Sequence, residues 1–346
     1  MVFWGRFQPS EALQPTRSIL FPVLPIPDDF PPAFLDRYQE LFPGSVYDRV
    51  LDGMAAPRQT WFRLNPIKKG NWADLDASGL IYHKYISWED AGWVEPEHRE
   101  ALLSSLPAQE GKIYVQGLAS QLPVRILEPQ GAERLLDLAA APGSKTLQLA
   151  GLMPEADIAA VEIVRKRKFR LEDNLERNGA TNVKVFLQDG TKVWRYRPEH
   201  FERILLDAPC SSEGRFRFDE PQSYAFWSRS KTKEMVRSQR RLLFSAVHAL
   251  APGGTLVYST CSLAPEENEG IVAHALDAFG SCLELEPVVF DAPERVDALL
   301  DWGKGAVDPR IARTCRLLPS ERMEGFFVAR FRKTASSEPP LRTPRR

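Results

Sequence analysis

Short apolar runs and longer amphipathic stretches alternate regularly from about residue 130 onward. That rhythm marks a parallel α/β sheet, in which each strand is followed by a crossover helix. The runs predict strands at Arg134–Leu138, Asp157–Glu162, Val183–Gln188, Arg203–Asp207 and Thr255–Thr260, with helices in the intervals. Between 229 and 250, Met235, Leu242, Leu243, Ala246 and Leu250 recur at helical spacing and read as core contacts. Pro252-Gly253-Gly254 is expected to close that helix. A last apolar run, Gly325-Phe-Phe-Val-Ala-Arg-Phe331, predicts a final strand.

Upstream the pattern is different. Two helical patterns, Phe34–Phe42 and Val46–Leu51, flank a Pro43-Gly44 break. Trp61–Asn65 and Leu80–Tyr82 are strand-like and aromatic. The expected organisation is a proline-rich tail over 1–25, a small α/β domain over 26–115, a main α/β domain over 116–333 and a disordered tail over 334–346. The apolar run Ile19–Ile26 is broken by prolines, and no run approaches the roughly 18 apolar residues of a membrane span. A reducing, cytoplasmic location and a monomer are the expectation.

Composition changes the picture little: 346 residues, 26% charged and 43% hydrophobic, with a net charge of -1. The distribution is less even. Ser211 to Arg241 holds eight basic and four acidic residues, while Pro265 to Asp301 holds ten acidic and one basic. A basic patch beside an acidic flank suits nucleic acid, although a solvated helix face gives the same run. Cys210, Cys261, Cys282 and Cys315 show neither C-x-x-C spacing nor a Cys/His cluster, so neither metal nor a disulfide framework is expected.

The chemistry gathers where strands end. Ala139-Ala-Ala-Pro-Gly143-Ser-Lys145 joins a strand to a helix. Small residues there let a ligand approach the backbone, and the helix N-terminus offers free N–H groups. The spacing is neither a P-loop nor G-x-G-x-x-G. The next strand ends in Glu162, suited to ribose hydroxyls, and the third in Asp189, suited to an adenine amino group. Together they fit an adenosyl cofactor. Cys210 and Cys261 each lie just past a predicted strand end, at the edge where such sheets bind ligands. Cys282 and Cys315 read as small buried hydrophobes.

Asp137-Leu-Ala-Ala-Ala-Pro-Gly-Ser-Lys-Thr146, Asp207-Ala-Pro-Cys-Ser-Ser-Glu-Gly214 and Tyr258-Ser-Thr-Cys-Ser-Leu-Ala-Pro-Glu-Glu-Asn-Glu269 resemble motifs I, IV and VI of the Sun/Fmu-type RNA (cytosine-5) methyltransferases. Phe62-Arg-Leu-Asn-Pro-Ile-Lys68, Ile113-Tyr-Val-Gln-Gly-Leu-Ala-Ser120 and Gly325-Phe-Phe-Val-Ala329 extend the resemblance to roughly residues 25–332. It implies a Rossmann-like class I methyltransferase sheet with the small N-terminal domain on the RNA side, S-adenosylmethionine as methyl donor, and a cytosine of rRNA or tRNA as acceptor. It implies Cys261 as the nucleophile on cytosine C6, Cys210 as the aid to release, and Asp207 at the base edge and beside the cofactor. Ala139, Ala140, Ala141, Pro142, Gly143, Ser144, Lys145, Glu162, Asp189 and Arg167 would hold the cofactor.

The chain departs from the family pattern at Ala139, Ser144, Ser212 and Glu162, where Cys, Gly, Gly and Asp are more usual. No further RNA-binding module is recognised, so the choice between rRNA and tRNA stays open. A DNA cytosine methyltransferase would carry its nucleophile in the Pro-Cys turn and lack Thr-Cys-Ser. An amino-methylating enzyme would want a Pro-Pro-Tyr-like turn at Ala208-Pro-Cys210. A non-catalytic RNA-binding or ribosome-assembly factor on the same fold is the alternative from another class.

Overall fold

The computed structural model describes residues 24–303 and 305–337. The first 23 residues of the expected N-terminal tail and residues 338–346 of the expected C-terminal tail lie outside them. In chain order the elements are α1 (Pro32–Leu41), α2 (Ser45–Ala55), β1 (Thr60–Leu64), α3 (Trp72–Ala77), β2 (His83–Lys84), β3 (Ala91–Val94), α4 (Arg99–Ser104), α5 (Leu106–Gln109), β4 (Ile113–Val115) and α6 (Leu118–Leu127). The alternating part follows: β5 (Arg134–Asp137), α7 (Ser144–Leu152), β6 (Asp157–Glu162), α8 (Arg165–Arg177), β7 (Val183–Leu187), β8 (Phe201–Asp207), α9 (Arg229–Ala249), β9 (Leu250–Thr260) and α10 (Glu269–Phe279). Then come β10 (Leu283–Glu286), β11 (Arg295–Val296), β12 (Cys315–Leu317) and β13 (Phe326–Lys333).

The large sheet runs β11-β12-β13-β9-β8-β5-β6-β7, with β10 also paired to β13. The five strands β7, β6, β5, β8 and β9 are parallel, and β13 joins β9 antiparallel. This is the parallel α/β sheet that the strand–helix rhythm predicts, in the Rossmann-like form that the motif resemblance implies. Chain order reverses direction between β5 and β8. At such a switch point the two flanking loops part in opposite directions, and ligands bind in the gap beyond the strand ends. Asp137 and Asp207 end those two strands.

The helix expected over 229–250 ends at Ala249, and β9 already begins at Leu250. Pairing with β8 then jumps from Phe201↔Leu250 to Arg203↔Thr255, so Ala251–Gly254 loop out of the strand. Pro252-Gly253-Gly254 therefore breaks the ladder within the strand and not the helix before it, because a bulge tolerates both a missing donor and a positive φ.

The N-terminal region is built differently from the expected single unit. β2-β3-β1-β4 form a small antiparallel sheet. Its period-2 pattern sends Phe62 into an outer cluster with Leu75, Val94, Leu102 and Ile113, while Trp61 faces Leu118 and Leu122 of the main body. The aromatic faces of α1 and α2 do not join that outer cluster. Phe34, Tyr38, Val50 and Met54 instead bury themselves against Phe216, Phe218 and Leu263, beside the motif IV and VI turns. At the other end, residues 334–337 are not free. Ser336 Oγ and Ser337 N donate to Glu199 at 2.8 and 2.9 Å. The buried Lys333 ammonium donates to the carbonyl of Val247, which the end of helix α9 leaves unpaired, and to that of Leu250 at the start of β9.

Candidate active site

At the end of β5, Asp137 is buried. Its Oδ2 accepts from Thr146 Oγ at 2.7 Å, whereas Oδ1 has no partner among the described residues. Burial pushes its pKa up to about 6. The loop then turns into α7 at Gly143, whose φ is +108° and whose missing Cβ would stand 2.7 Å from Leu171 Cδ1. Only glycine fits both constraints. Ala140 N donates to Val161 O at 3.0 Å, and Arg167 Nη2 donates to Ala141 O at 2.7 Å. Arg167 thus braces the loop through its backbone.

Lys145 reaches back from α7. Its Nζ donates to Asp207 Oδ2 and to Ser120 Oγ, both at 2.8 Å. Asp207 Oδ1 accepts from Ser259 Oγ at 2.7 Å. These groups line a cavity of about 310 Å³ at the switch point. Its walls are the backbone from Ala139 to Pro142 with Ser144 and Lys145, the carboxylates of Asp137 and Asp207, and, opposite, Cys261, Arg215 and Phe326.

The two thiols meet beside this cavity. Cys210 Sγ lies 3.4 Å from Cys261 Sγ. With Cys210 as donor, that hydrogen bond pulls the Cys261 pKa below the ordinary thiol value and pushes that of Cys210 well above it. Ser212 Oγ at 3.7 Å and the Arg215 guanidinium act on Cys261 in the same direction. A sulfur held toward thiolate, next to a neighbour held as thiol, is the division a nucleophile and its assistant require. Ser212 sits at φ +62°, a left-handed conformation unusual for a residue with a Cβ.

Two buried carboxyls stand behind the thiols. Glu267 accepts from Ser211 N at 3.0 Å, from Ser262 Oγ at 2.8 Å, from Gln239 Nε2 at 2.7 Å, and from Ser211 Oγ. Glu213 accepts from Trp227 Nε1 at 2.7 Å and from Tyr38 OH, and its Oε2 lies 3.2 Å from Ser262 Oγ. Burial, then the neighbouring Glu213, pushes the Glu267 pKa up to about 7. The network ties both cysteine turns to α1 and α9. Backbone contact completes it: Gly214 N donates to Cys261 O and Gly325 N to Gly214 O, both at 2.8 Å. A Cβ on Gly214 would lie 2.1 Å from Gly325 O.

The other expected residues lie off the cavity. Glu162 is buried at the end of β6, with Oε1 accepting from Val164 N at 2.8 Å and Oε2 3.4 Å from Arg167. Asp189 caps the following turn: Oδ1 accepts from Thr191 N and Oγ, and Oδ2 lies 3.0 Å from Lys192. Cys282 and Cys315 are buried away from the site. Glu213, Glu267, Gln239 and Ser120 are not singled out by the sequence, and Ser212 stands out there only as a departure from the family pattern. The Glu-Glu-Asn-Glu run after Thr-Cys-Ser was the available signal. Among the described residues no His, Cys, Asp or Glu cluster suits a metal, and no helix is long and apolar enough to cross a membrane.

The profile of the 16S rRNA methyltransferase RsmB/F family matches residues 124–332. The chain belongs to the RsmB/F family. Ribosomal RNA small subunit methyltransferase F of Escherichia coli is 38% identical over 325 residues, 91% of this chain and 66% of the relative. Its counterpart in Citrobacter koseri is also 38% identical, over 91% of this chain and 65% of the relative. This RsmB/F chain therefore spans about two thirds of the length of the curated relatives it matches. A methyltransferase homologue from Pyrococcus horikoshii superposes with a TM-score of 0.74 at 33% identity, covering 88% of this chain and 96% of that one. NSun6 from Pyrococcus horikoshii, at 22% identity and a TM-score of 0.73 over 89% of this chain and 99% of its own, shares the fold. The Sun/Fmu resemblance read from the three motifs holds.

Proposed function

We propose that this chain transfers a methyl group from S-adenosylmethionine to C5 of a cytosine in ribosomal RNA. The observation that carries the reading is the pair of touching thiols, one pulled toward thiolate, beside the cavity at the sheet's switch point. The small-subunit rRNA methyltransferases among its relatives support rRNA over tRNA.

The residues present fit the cofactor. The bare backbone from Ala139 to Pro142 leaves room for it, and the unpartnered buried oxygen of Asp137 offers an acceptor. Glu162 would take the ribose hydroxyls and Asp189 the adenine amino group, with Gly143, Ser144 and Lys145 completing the loop and Arg167 holding it. Bound there, the cofactor supplies an electrophilic methyl.

In this reading the Cys261 thiolate adds to C6 of the cytosine, and N3 takes up a proton under the influence of Asp207. C5 becomes electron-rich enough to accept the methyl. Loss of the C5 proton to a base, return of the N3 proton and rupture of the C6–S bond then give back the thiolate and leave neutral 5-methylcytosine, with Cys210 assisting this release. Lys145 and Ser259 hold the Asp207 carboxylate in place. The target base leaves its stack to enter such a pocket.

The test is methyl transfer from labelled S-adenosylmethionine to purified 16S rRNA and to tRNA. Label in rRNA as 5-methylcytosine is the expected result. Label in tRNA alone would overturn the substrate, and no label in any RNA would favour the assembly-factor alternative.

A further inference from the structure

The basic patch read from the sequence divides in space. Arg215 lines the site cavity. Arg217 is engaged by Asp219 and Glu220, and Lys231 by Glu234. Of the remainder, Arg241 turns away and donates to Thr191 Oγ1 at 3.4 Å, while Arg229, Lys233, Arg237 and Arg240 recur at helical spacing along one exposed stripe of α9. Among the described residues no ion pair engages any of these four, whereas Arg37 beside them is paired with Glu266.

The stripe forms one wall of a groove of about 800 Å³. Ala273, His274 and the carboxylate Asp277 of α10 also line it, with the Trp302 ring beside Gly270. Two polar groups in the groove lack partners. Thr232, only 3% exposed, has a buried Oγ without a hydrogen bond among the described residues, and so does Trp302 Nε1.

We propose that this groove binds a single-stranded stretch of the RNA that flanks the target cytosine; the proposal rests on the RNA-methyltransferase reading. A row of unneutralised cations at helical spacing suits successive phosphates, and a partly exposed indole offers a stacking surface for a base. The whole chain carries a net charge of -1, so the attraction is local to this face. The groove also backs onto the catalytic turns. Glu266, at its edge, precedes Glu267, which accepts from Ser211 N next to Cys210. Gln239 of α9 donates to both Glu267 and Pro209 O. Flank and target would thus be held by one rigid unit.

The test is binding of fluorescent poly(U) across a salt series. Replacing Arg229, Lys233, Arg237 and Arg240 together by Gln should weaken binding at least tenfold. It should also flatten the log–log salt slope by roughly 2–3, at about 0.7 per lost phosphate contact. Trp302→Ala should weaken binding about tenfold. Calorimetry should show unchanged affinity for S-adenosylmethionine in every variant. An unchanged slope in the fourfold variant overturns the proposal. So does displacement of poly(U) by polyglutamate as readily as by unlabelled poly(U), which would mark an acidic-peptide site. Methyl transfer to 16S rRNA by the same preparations separates this from the parent reading. Transfer by the wild type with groove variants unaffected overturns the groove alone. Groove-dependent poly(U) binding without any transfer overturns the enzymatic reading alone.

Discussion

The two halves of the sheet edge are built to opposite specifications. On the thiol side, the turns after β8 and β9 are locked by two buried carboxyls, the hydroxyls of Ser211 and Ser262 between them, and backbone contact at Gly214 and Gly325. On the loop side, the turn after β5 is small-residue backbone braced from outside by Arg167, and the carboxylates of Glu162 and Asp189 sit off the cavity. In the proposed reaction a nucleophile has to meet one carbon at one angle, which fixed turns would serve. A cofactor that enters and leaves at every turnover needs an accessible backbone and short, exchangeable contacts. The thiol half spends its polar groups on itself; the loop half leaves the Asp137 oxygen open.

The sharpest way to break this contrast is to titrate the lock. The folded pKa of Glu267, about 7, stands above that of a free glutamate, so its protonated form favours the fold. That contribution is complete at acid pH below the unfolded value. It is lost as pH rises through the folded value, between about 4.5 and 7. Glu267→Gln cannot ionise. Between pH 5 and pH 8 its stability relative to wild type should therefore improve by up to about 3 kcal/mol, measured by denaturant unfolding at both pH values. A constant difference would mean that the lock does not titrate in this range.

On the loop side the expected effects are smaller and unequal. Glu162→Ala should weaken S-adenosylmethionine binding by about 1.5–3 kcal/mol, the scale for lost hydrogen bonds to a charged group. Asp189→Ala should cost less, about 1 kcal/mol, because both its oxygens are already committed to Thr191 and Lys192. Calorimetry giving the reverse order would mean that the cofactor displaces the Asp189 cap. The smallest change is at Ser212. Ser212→Gly relieves a left-handed residue and should stabilise by about 0.5–1 kcal/mol, partly offset by glycine's greater freedom when unfolded. It also removes the hydroxyl 3.7 Å from Cys261, so the pH profile of inactivation by iodoacetamide should move upward.

How much of this was legible in the chain depends on the range of the interaction. The parallel strands were legible because apolar runs bounded by turn residues are local, and the strand-end positions of Asp137, Asp207, Cys210 and Cys261 follow from them. The jump at Pro252-Gly253-Gly254 was not, because a bulge is set by the register of β8 against β9 and not by the tripeptide. Helices α1 and α2 were found, but not their partners: Phe34 and Tyr38 bury against Phe216, far along the chain. The acidic flank misled most. Counted as charge, Glu267 and Glu269 look like a solvated face, yet both are fully buried. Glu269 is paired with the equally buried Arg316, and Glu267 sits among serine hydroxyls and an amide. Charge counts carry no information about such long-range partners.

The account turns on two thiols with different tasks, and the denaturing-gel behaviour of their alanine variants with substrate RNA and S-adenosylmethionine tests it most directly. If Cys261 forms the bond to C6 and Cys210 aids release, Cys210→Ala should accumulate an RNA–protein adduct that survives denaturation and vanishes on RNase treatment. Its formation should be slower and shifted to higher pH, since Cys261 has lost its hydrogen-bond donor. Cys261→Ala and the double variant should form none. A stable adduct in Cys261→Ala, with none in Cys210→Ala, would contradict the account and make Cys210 the nucleophile.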